Sequence, residues 1–251
     1  MPVAPAPVAG GRRLLPEATV GRLPLYLQAL ADADDDHQVT ISSEELASRV
    51  GANAAQVRKD LSYLGSYGTR GVGYDVELLY QHIHRRLGLN RECNVALVGV
   101  GNLGQALGHY RGFAEKGFRV VAAFDTDPVK MGLRLGEAVV QPMADLDRVV
   151  RQRHVSMALI TTPASAAQDV AERLVKAGVT SLLNFAPVVL NLSARVRVRK
   201  VDLAVELQIL GYYQHYRSRA RSSRSRSGTG TGGREHAARA ATAQAWGAGA
   251  E

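Results

Sequence analysis

Three glycines and one aspartate carry the clearest chemistry in this 251-residue chain. Gly99, Gly101 and Gly104 form a G-x-G-x-x-G turn between the apolar run 95–98 and a helix-forming segment, 105–116. In that order the first glycine permits a tight strand-to-helix turn. The second admits backbone N–H groups to a pyrophosphate, and the third lets helix and strand close up. Val100, Asn102 and Leu103 complete a loop whose N–H groups and helix dipole favour an anion. A second apolar run, 118–124, stops at Asp125, 24 positions after Gly101. A carboxylate at about that distance accepts the adenosine ribose hydroxyls of a dinucleotide. Thr126-Asp127 offers no arginine to offset repulsion of a 2′-phosphate, so the pattern favours NAD(H) over NADP(H).

The elements that must hold these groups alternate. A short strand ends at 139–140, 144–152 is helical, and 155–160 is a buried strand ending in the turn Thr161-Thr162-Pro163. A helix over 164–177 closes at Gly178, and strands follow at 181–184 and 195–201. This alternation implies a parallel sheet with its ligand at the strand C-terminal ends, where the glycine turn, Asp125 and Thr161 to Pro163 all fall. The expectation is a Rossmann-type domain over 90–201.

The segment ahead of it reads differently. Thr19 is placed to cap a first helix running to about Asp32, and a Ser-capped helix over 41–51 ends on Gly51. Asn53 is placed to cap a third, with Gln56 three residues on as in a capping box. That helix buries Val57, Leu61 and Leu64 and turns Ala55, Arg58, Lys59 and Ser62 outward, with Tyr63 at the margin. A glycine-rich hairpin, 65–76, follows directly, with Arg70 near its tip. Helix-turn-helix then hairpin is winged-helix order, with the helix for the major groove and the wing arginine for the minor groove. The DNA-contacting set on this reading is Ala55, Gln56, Arg58, Lys59, Ser62, Tyr63 and Arg70. Asp60 faces inward and is expected in an internal ion pair. His82 and His84, two apart on the next helix, point to different faces, so no metal site is expected.

Composition narrows the class. No apolar run approaches the ~20 residues of a membrane span. The Pro/Ala-rich start lacks the charged region of a signal peptide. A single cysteine, Cys93, excludes an intrachain disulfide. A cytoplasmic protein is expected. The net charge of +8 points to nucleic acid less than it first suggests, because seven arginines against two glutamates after residue 216 supply +5 of it. The last helix, from Asp202 to about Arg217, carries two apolar stripes almost opposite each other: Leu203, Leu207 and Leu210, and Val205, Ile209, Tyr212 and Tyr216. A helix apolar on two faces is buried on both, which implies insertion into a partner subunit and a homodimer.

Five segments taken together resemble the redox-sensing transcriptional repressor Rex family over about residues 19–216: Gln56-Val-Arg-Lys-Asp-Leu-Ser-Tyr63, Gly71-Val-Gly-Tyr74, Gly99-x-Gly-x-x-Gly104, Phe124-Asp-Thr-Asp-Pro128 and Asn184-Phe-Ala-Pro-Val188. The resemblance implies an α/β protein with an N-terminal winged helix, a Rossmann domain binding NADH or NAD⁺, and a C-terminal helix exchanged in a homodimer. It implies repression through double-stranded operator DNA, released when NADH binds. It also implies that Asp125 holds the ribose, and that Tyr110, Arg22 and Asp202 form a polar switch near the nicotinamide. Leu203 departs from the family, which often has an aromatic there. The expected organisation is a disordered lead-in (1–17), winged helix (18–87), Rossmann domain (90–201), dimerisation helix (202–217) and disordered basic tail (218–251). A dehydrogenase would need a substrate pocket and a proton donor for which the chain shows no segment, so no enzyme is expected. Another ADP-containing ligand, coenzyme A, shares the glycine turn.

Overall fold

The computed structural model describes residues 14–65, 68–69 and 71–226. The chain divides into two units, 1–201 and 202–251.

The first unit opens with α1 (Glu17–Asp35), β1 (Thr40–Ile41), α2 (Ser43–Val50), α3 (Ala54–Ser62), β2 (Gly68–Thr69), β3 (Gly73–Asp75) and α4 (Val76–Arg86). The strands form an antiparallel sheet in the order β1-β3-β2, so the glycine-rich hairpin is a wing pinned to the strand that precedes α2. Leu23, Tyr26 and Leu30 of α1 pack with Leu46, Val57, Leu61, Leu79 and Ile83 into one core. Caps set the turn of the helix-turn-helix. Ser42 Oγ accepts from the Glu45 N–H, Gly51 closes α2 at φ +66°, and Asn53 Oδ1 accepts from the Ala55 N–H at 2.7 Å. Two expected caps are corrected. Pro16, not Thr19, stands at the start of α1, and the buried Thr19 hydroxyl donates to Asp60. Gln56 closes no capping box, because its amide also donates to Asp60.

The Rossmann part runs β4 (Cys93–Val98), α5 (Asn102–Gly108), α6 (Arg111–Glu115), β5 (Phe118–Asp125), β6 (Arg134–Leu135), β7 (Ala138–Pro142), α7 (Leu146–Gln152), β8 (Met157–Ile160), α8 (Ala164–Ala177), β9 (Ser181–Asn184) and β10 (Arg197–Lys200). Its sheet has the order β10-β9-β8-β4-β5-β7-β6, parallel except for the β6–β7 edge. Connections from β4 go first to one side and later to the other, so a topological switch point lies between β4 and β8. The central strand is buried on both faces. Ala96 and Val98 pack towards α7 and α8, and Val95 and Leu97 towards Leu135 and Val140.

The single helix expected over 105–116 is instead two, α5 and α6, broken at His109 and Tyr110. Gly108 lowers helix propensity there, and a β-carbon on it would lie 3.0 Å from Leu135.

The second unit is described through α9 (Leu203–Arg226), which extends nine residues past the expected end at Arg217. The Ser/Arg/Ala run contains no glycine or proline before Gly228, so residues 218–226, expected in a disordered tail, are helical, and the rest of that expected tail lies outside the described residues. Both apolar stripes of α9 are exposed, with Leu207 at 69% and Tyr212 at 57%.

Candidate functional site

A cavity of about 470 Å³ opens at the C-terminal ends of β4, β5 and β8. It gathers Gly99, Gly101, Asp125, Thr161, Thr162 and Pro163 from the expected set. Gly99 sits at φ +96°, and a β-carbon on it would come within 2.8 Å of the Thr161 backbone. Gly104 is a packing glycine, since its β-carbon would meet the Gly99 carbonyl oxygen at 2.0 Å. Gly101 faces open space, with nothing within 4 Å of where a side chain would begin. This division of labour is what a strand–turn–helix cradle for a pyrophosphate requires. The Thr162 hydroxyl is buried in the same cavity without a hydrogen-bond partner among the described residues. An orphaned hydroxyl beside a glycine cradle fits a polar ligand.

Asp125 ends β5 and is 8% exposed. Its Oδ2 accepts the Val100 N–H at 2.6 Å and Lys130 Nζ at 3.2 Å, and its Oδ1 accepts the Asp127 N–H at 2.8 Å. Burial raises its proton affinity, but the two backbone donors and the Lys130 ammonium outweigh this and hold the carboxyl below its usual range. Val100 therefore acts by holding Asp125. Lys130 was missed in sequence. It stands on the one-turn helix Pro128–Lys130, five residues past the acid, and lines the cavity together with Asp127 and Met143. Its ammonium is the cation that Thr126-Asp127 lacks, and it offsets part of the charge held against a 2′-phosphate.

The remaining expected cofactor residues do not line this cavity. Asn102 and Leu103 begin α5, and Leu103 is 39% exposed. Tyr110 caps α6 and packs edge-on against Phe113, beside a neighbouring cavity of about 310 Å³. Asp202 belongs to the second unit, where its carboxylate accepts from the Ala204 N–H at the start of α9.

On α3, Ala55, Arg58, Lys59, Ser62 and Tyr63 are exposed, and Gln56 is half-buried. Arg58 Nη1 donates to Ser43 Oγ at 2.8 Å and to Glu44 Oε1 at 2.7 Å, tying the recognition helix to α2. The backbone N–H of Glu44 itself, then Arg58 and Ser43, hold the Glu44 carboxyl low. Arg70 lies outside the described residues. Behind this face, the fully buried Asp60 forms the internal ion pair expected for it. Its carboxylate accepts from Arg22 Nε (2.6 Å) and Nη2 (2.9 Å), Tyr26 Oη (2.8 Å), Thr19 Oγ1 (2.9 Å) and Gln56 Nε2 (3.0 Å). Burial pushes this carboxyl up, yet the bonds from Arg22, Tyr26, Thr19 and Gln56 bring it down to about 2. Burial, and then the bond to Asp60, push the Tyr26 phenol well above its usual range. Arg22, expected at a nicotinamide switch, is here bound to the recognition helix.

A helix-turn-helix with a wing, joined to a Rossmann domain with an open dinucleotide cradle, defines a DNA-binding regulator with a nucleotide-binding sensor domain. Known proteins agree with both halves. Residues 15–62 match the family described as putative DNA-binding protein N-terminus, and residues 90–188 match the CoA binding domain family. The chain is 56% identical over 206 residues to a redox-sensing transcriptional repressor Rex of Streptomyces griseus, covering 82% of this chain and 81% of that protein. It is 50% identical to that of Carboxydothermus hydrogenoformans, over 79% of this chain and 95% of the relative. The solved structure of RSP in complex with β-NAD⁺ and operator DNA matches with a TM-score of 0.78 at 30% identity, covering 85% of this chain and 99% of RSP. Its complex with β-NADH matches with a TM-score of 0.76 at 30% identity, over 84% and 99%. The chain belongs to the redox-sensing transcriptional repressor Rex family.

Proposed function

We propose that this protein is a homodimeric repressor that binds operator DNA and leaves it when NADH occupies the Rossmann cavity, so that transcription follows the NADH/NAD⁺ ratio. One observation carries this reading: a winged helix with an exposed basic recognition face and a dinucleotide cradle ending in a buried acid stand in the same chain. RSP has been solved with β-NAD⁺ and operator DNA and with β-NADH, and the same ligands are assigned here. Asp125 accepts the ribose hydroxyls, the turn from Gly99 to Gly104 with Asn102 and Leu103 receives the pyrophosphate, and Thr161 to Pro163 border the dinucleotide. Ala55, Arg58, Lys59, Ser62 and Tyr63 meet the major groove, Gln56 supports them, and Arg70 enters the minor groove. The two exposed stripes of α9 are covered by a second copy. No described helix is long and apolar enough to cross a membrane, and the site of action is the cytoplasm.

NADH and NAD⁺ differ only at the nicotinamide, so discrimination arises where Tyr110, Arg22 and Asp202 are assigned. A ligand shifts a conformational equilibrium only by its differential affinity for the two states. Moving Arg22 from Asp60 to Asp202 would leave a buried carboxylate without its cation, at a cost of about 3 kcal/mol. That cost sets the scale of what cofactor and partner contacts must supply. By reciprocity, operator DNA weakens NADH binding by the factor with which NADH weakens DNA binding.

The test is fluorescence anisotropy of a duplex selected by this protein from a randomised pool, titrated with NADH at fixed NAD⁺. NADH dissociates the complex in the expected outcome; equal effects of both cofactors overturn the reading. The chain is assigned as a sensor rather than an enzyme, which steady NADH absorbance in the presence of small oxidised metabolites checks. Coenzyme A is the second reading, favoured by the family that residues 90–188 match. Competition of coenzyme A against NADH separates the two.

A further inference from the structure

The two cations side by side on α3 stand in different electrostatic settings. Lys59 is exposed and pairs with no carboxylate among the described residues. Arg58, equally outward, already has an anion: Nη1 is held by Glu44 at 2.7 Å and by the buried Ser43 hydroxyl at 2.8 Å. Glu44 is fixed in its turn, because Ser43 Oγ donates to its second oxygen at 3.1 Å. The pair borders a cleft of about 410 Å³ between the start of α2, Arg58 and the wing residues Gly68, Thr69, Gly71, Val72, Gly73 and Tyr74. The cleft is therefore flanked by a carboxylate where a nucleic-acid-binding surface would ordinarily present only positive charge.

We propose that Glu44 is a specificity-determining residue of the DNA interface, a built-in counterion that keeps Arg58 from capturing phosphates and orients its remaining donors for a base edge. The inference rests on the DNA-binding reading above. A guanidinium has five N–H donors. With Nη1 committed to α2, the Nε and Nη2 donors remain, and a bidentate contact to guanine O6 and N7 needs only two. An unpaired surface cation gains affinity for any duplex by releasing the salt ions that crowd the phosphates. Arg58 gains little that way, since a phosphate must first compete with a carboxylate fixed 2.7 Å away. A base edge approaching the free donors meets no such competition. Glu44 thus lowers affinity for arbitrary duplex without lowering it for the correct one. Lys59, lacking a partner of this kind, is the phosphate contact of the pair.

The test compares the full-length wild-type protein, Glu44→Gln, Arg58→Gln and the double variant by anisotropy over a range of salt. The probes are the duplex selected by the wild-type protein and a scrambled duplex of the same composition. Glu44→Gln removes the charge at an exposed position, and unchanged circular dichroism and thermal midpoint establish that it folds. It is expected to bind the scrambled duplex several-fold more tightly, with a log K against log salt slope steeper by about 0.9, one additional phosphate neutralised. It binds the selected duplex no more tightly, so discrimination falls. In the Arg58→Gln background the same change has no effect on slope or discrimination. A simple loss of helix positioning would weaken both duplexes together, which overturns the proposal. So does a Glu44→Gln variant with wild-type slope and discrimination, or a steeper slope that persists without Arg58. Wild-type protein that binds neither duplex overturns the DNA-binding reading and this inference with it; wild-type binding with an unchanged Glu44→Gln variant overturns this inference alone.

Discussion

Asp60 in the winged helix and Asp125 in the Rossmann domain are both buried aspartates, 0% and 8% exposed, and they are satisfied in opposite ways. Asp60 is saturated by side chains from two helices: Thr19, Arg22 and Tyr26 of α1, and Gln56 of its own α3. Asp125 is held by two backbone N–H groups and one lysine at the edge of a cavity. A carboxylate saturated by side chains ties elements together and has nothing left for a ligand. One anchored by its own backbone, beside open space, keeps its position whether or not a ligand is present. The first is a structural tie under the helix proposed to read DNA, and the second has the form of a receptor.

The largest effect expected is that of Asp60→Ala, which strands Arg22 and Tyr26 and is expected to cost about 3 kcal/mol of stability, measured by urea unfolding. DNA binding should fall with it, whereas NADH affinity, read by calorimetry, should hold. A loss below about 1 kcal/mol would reduce the tie to an ordinary surface pair and break the contrast. Asp125→Ala inverts the pattern. NADH affinity is expected to drop roughly 30-fold, about 2 kcal/mol for hydrogen bonds to a charged acceptor, with a smaller change in unfolding than Asp60→Ala shows.

Acid titration sharpens the same comparison. The Asp60 carboxyl is held at about 2 in the folded protein, below the ~3.9 of an unfolded aspartate. A depressed folded value means its contribution is full above ~4 and is lost as pH falls through about 2, in all roughly 3 kcal/mol. The stability gap between wild type and Asp60→Asn should therefore narrow as urea midpoints are followed from pH 4 to pH 2. A gap that stayed constant would mean that Asp60 does not enter the fold as a charge. The smallest effect concerns Lys130. Lys130→Met removes a cation paired with Asp125 and Asp127, so preference for NADH over NADPH should rise by about 3-fold, the scale of a part-exposed ion pair. Equal ratios in wild type and variant would show that the lysine stays off the ribose end.

Much of this was legible in the sequence because it is local. The glycine turn and Asp125 are set by backbone needs and strand length. Ser42, Asn53 and Gly51 mark the helix ends because caps act within three or four residues, and the α3 faces follow from a 100° rotation per residue. What failed was also local in origin. Thr19 and Gln56 have the residue types of caps, but each found a better partner in Asp60, four residues on along the same helix for Gln56 and 41 positions away for Thr19. Gly108 is a weak helix former whose effect depended on Leu135, brought against it by the β6–β7 edge.

By itself, then, the sequence determined the order of elements, the two kinds of domain, the dinucleotide cradle and the outward set on the recognition helix, since periodicity and turn chemistry act over a few residues. Tertiary structure decided the electrostatics. Arg22 reaches Asp60 across 38 positions, Thr19 reaches it across 41, and Arg58 reaches Glu44 across 14. Such partners are chosen by helix packing, which places long side chains within 3 Å of acids that no spacing rule connects. At Asp60, burial then strengthens the pairing by removing the water that would otherwise compete for the same charges.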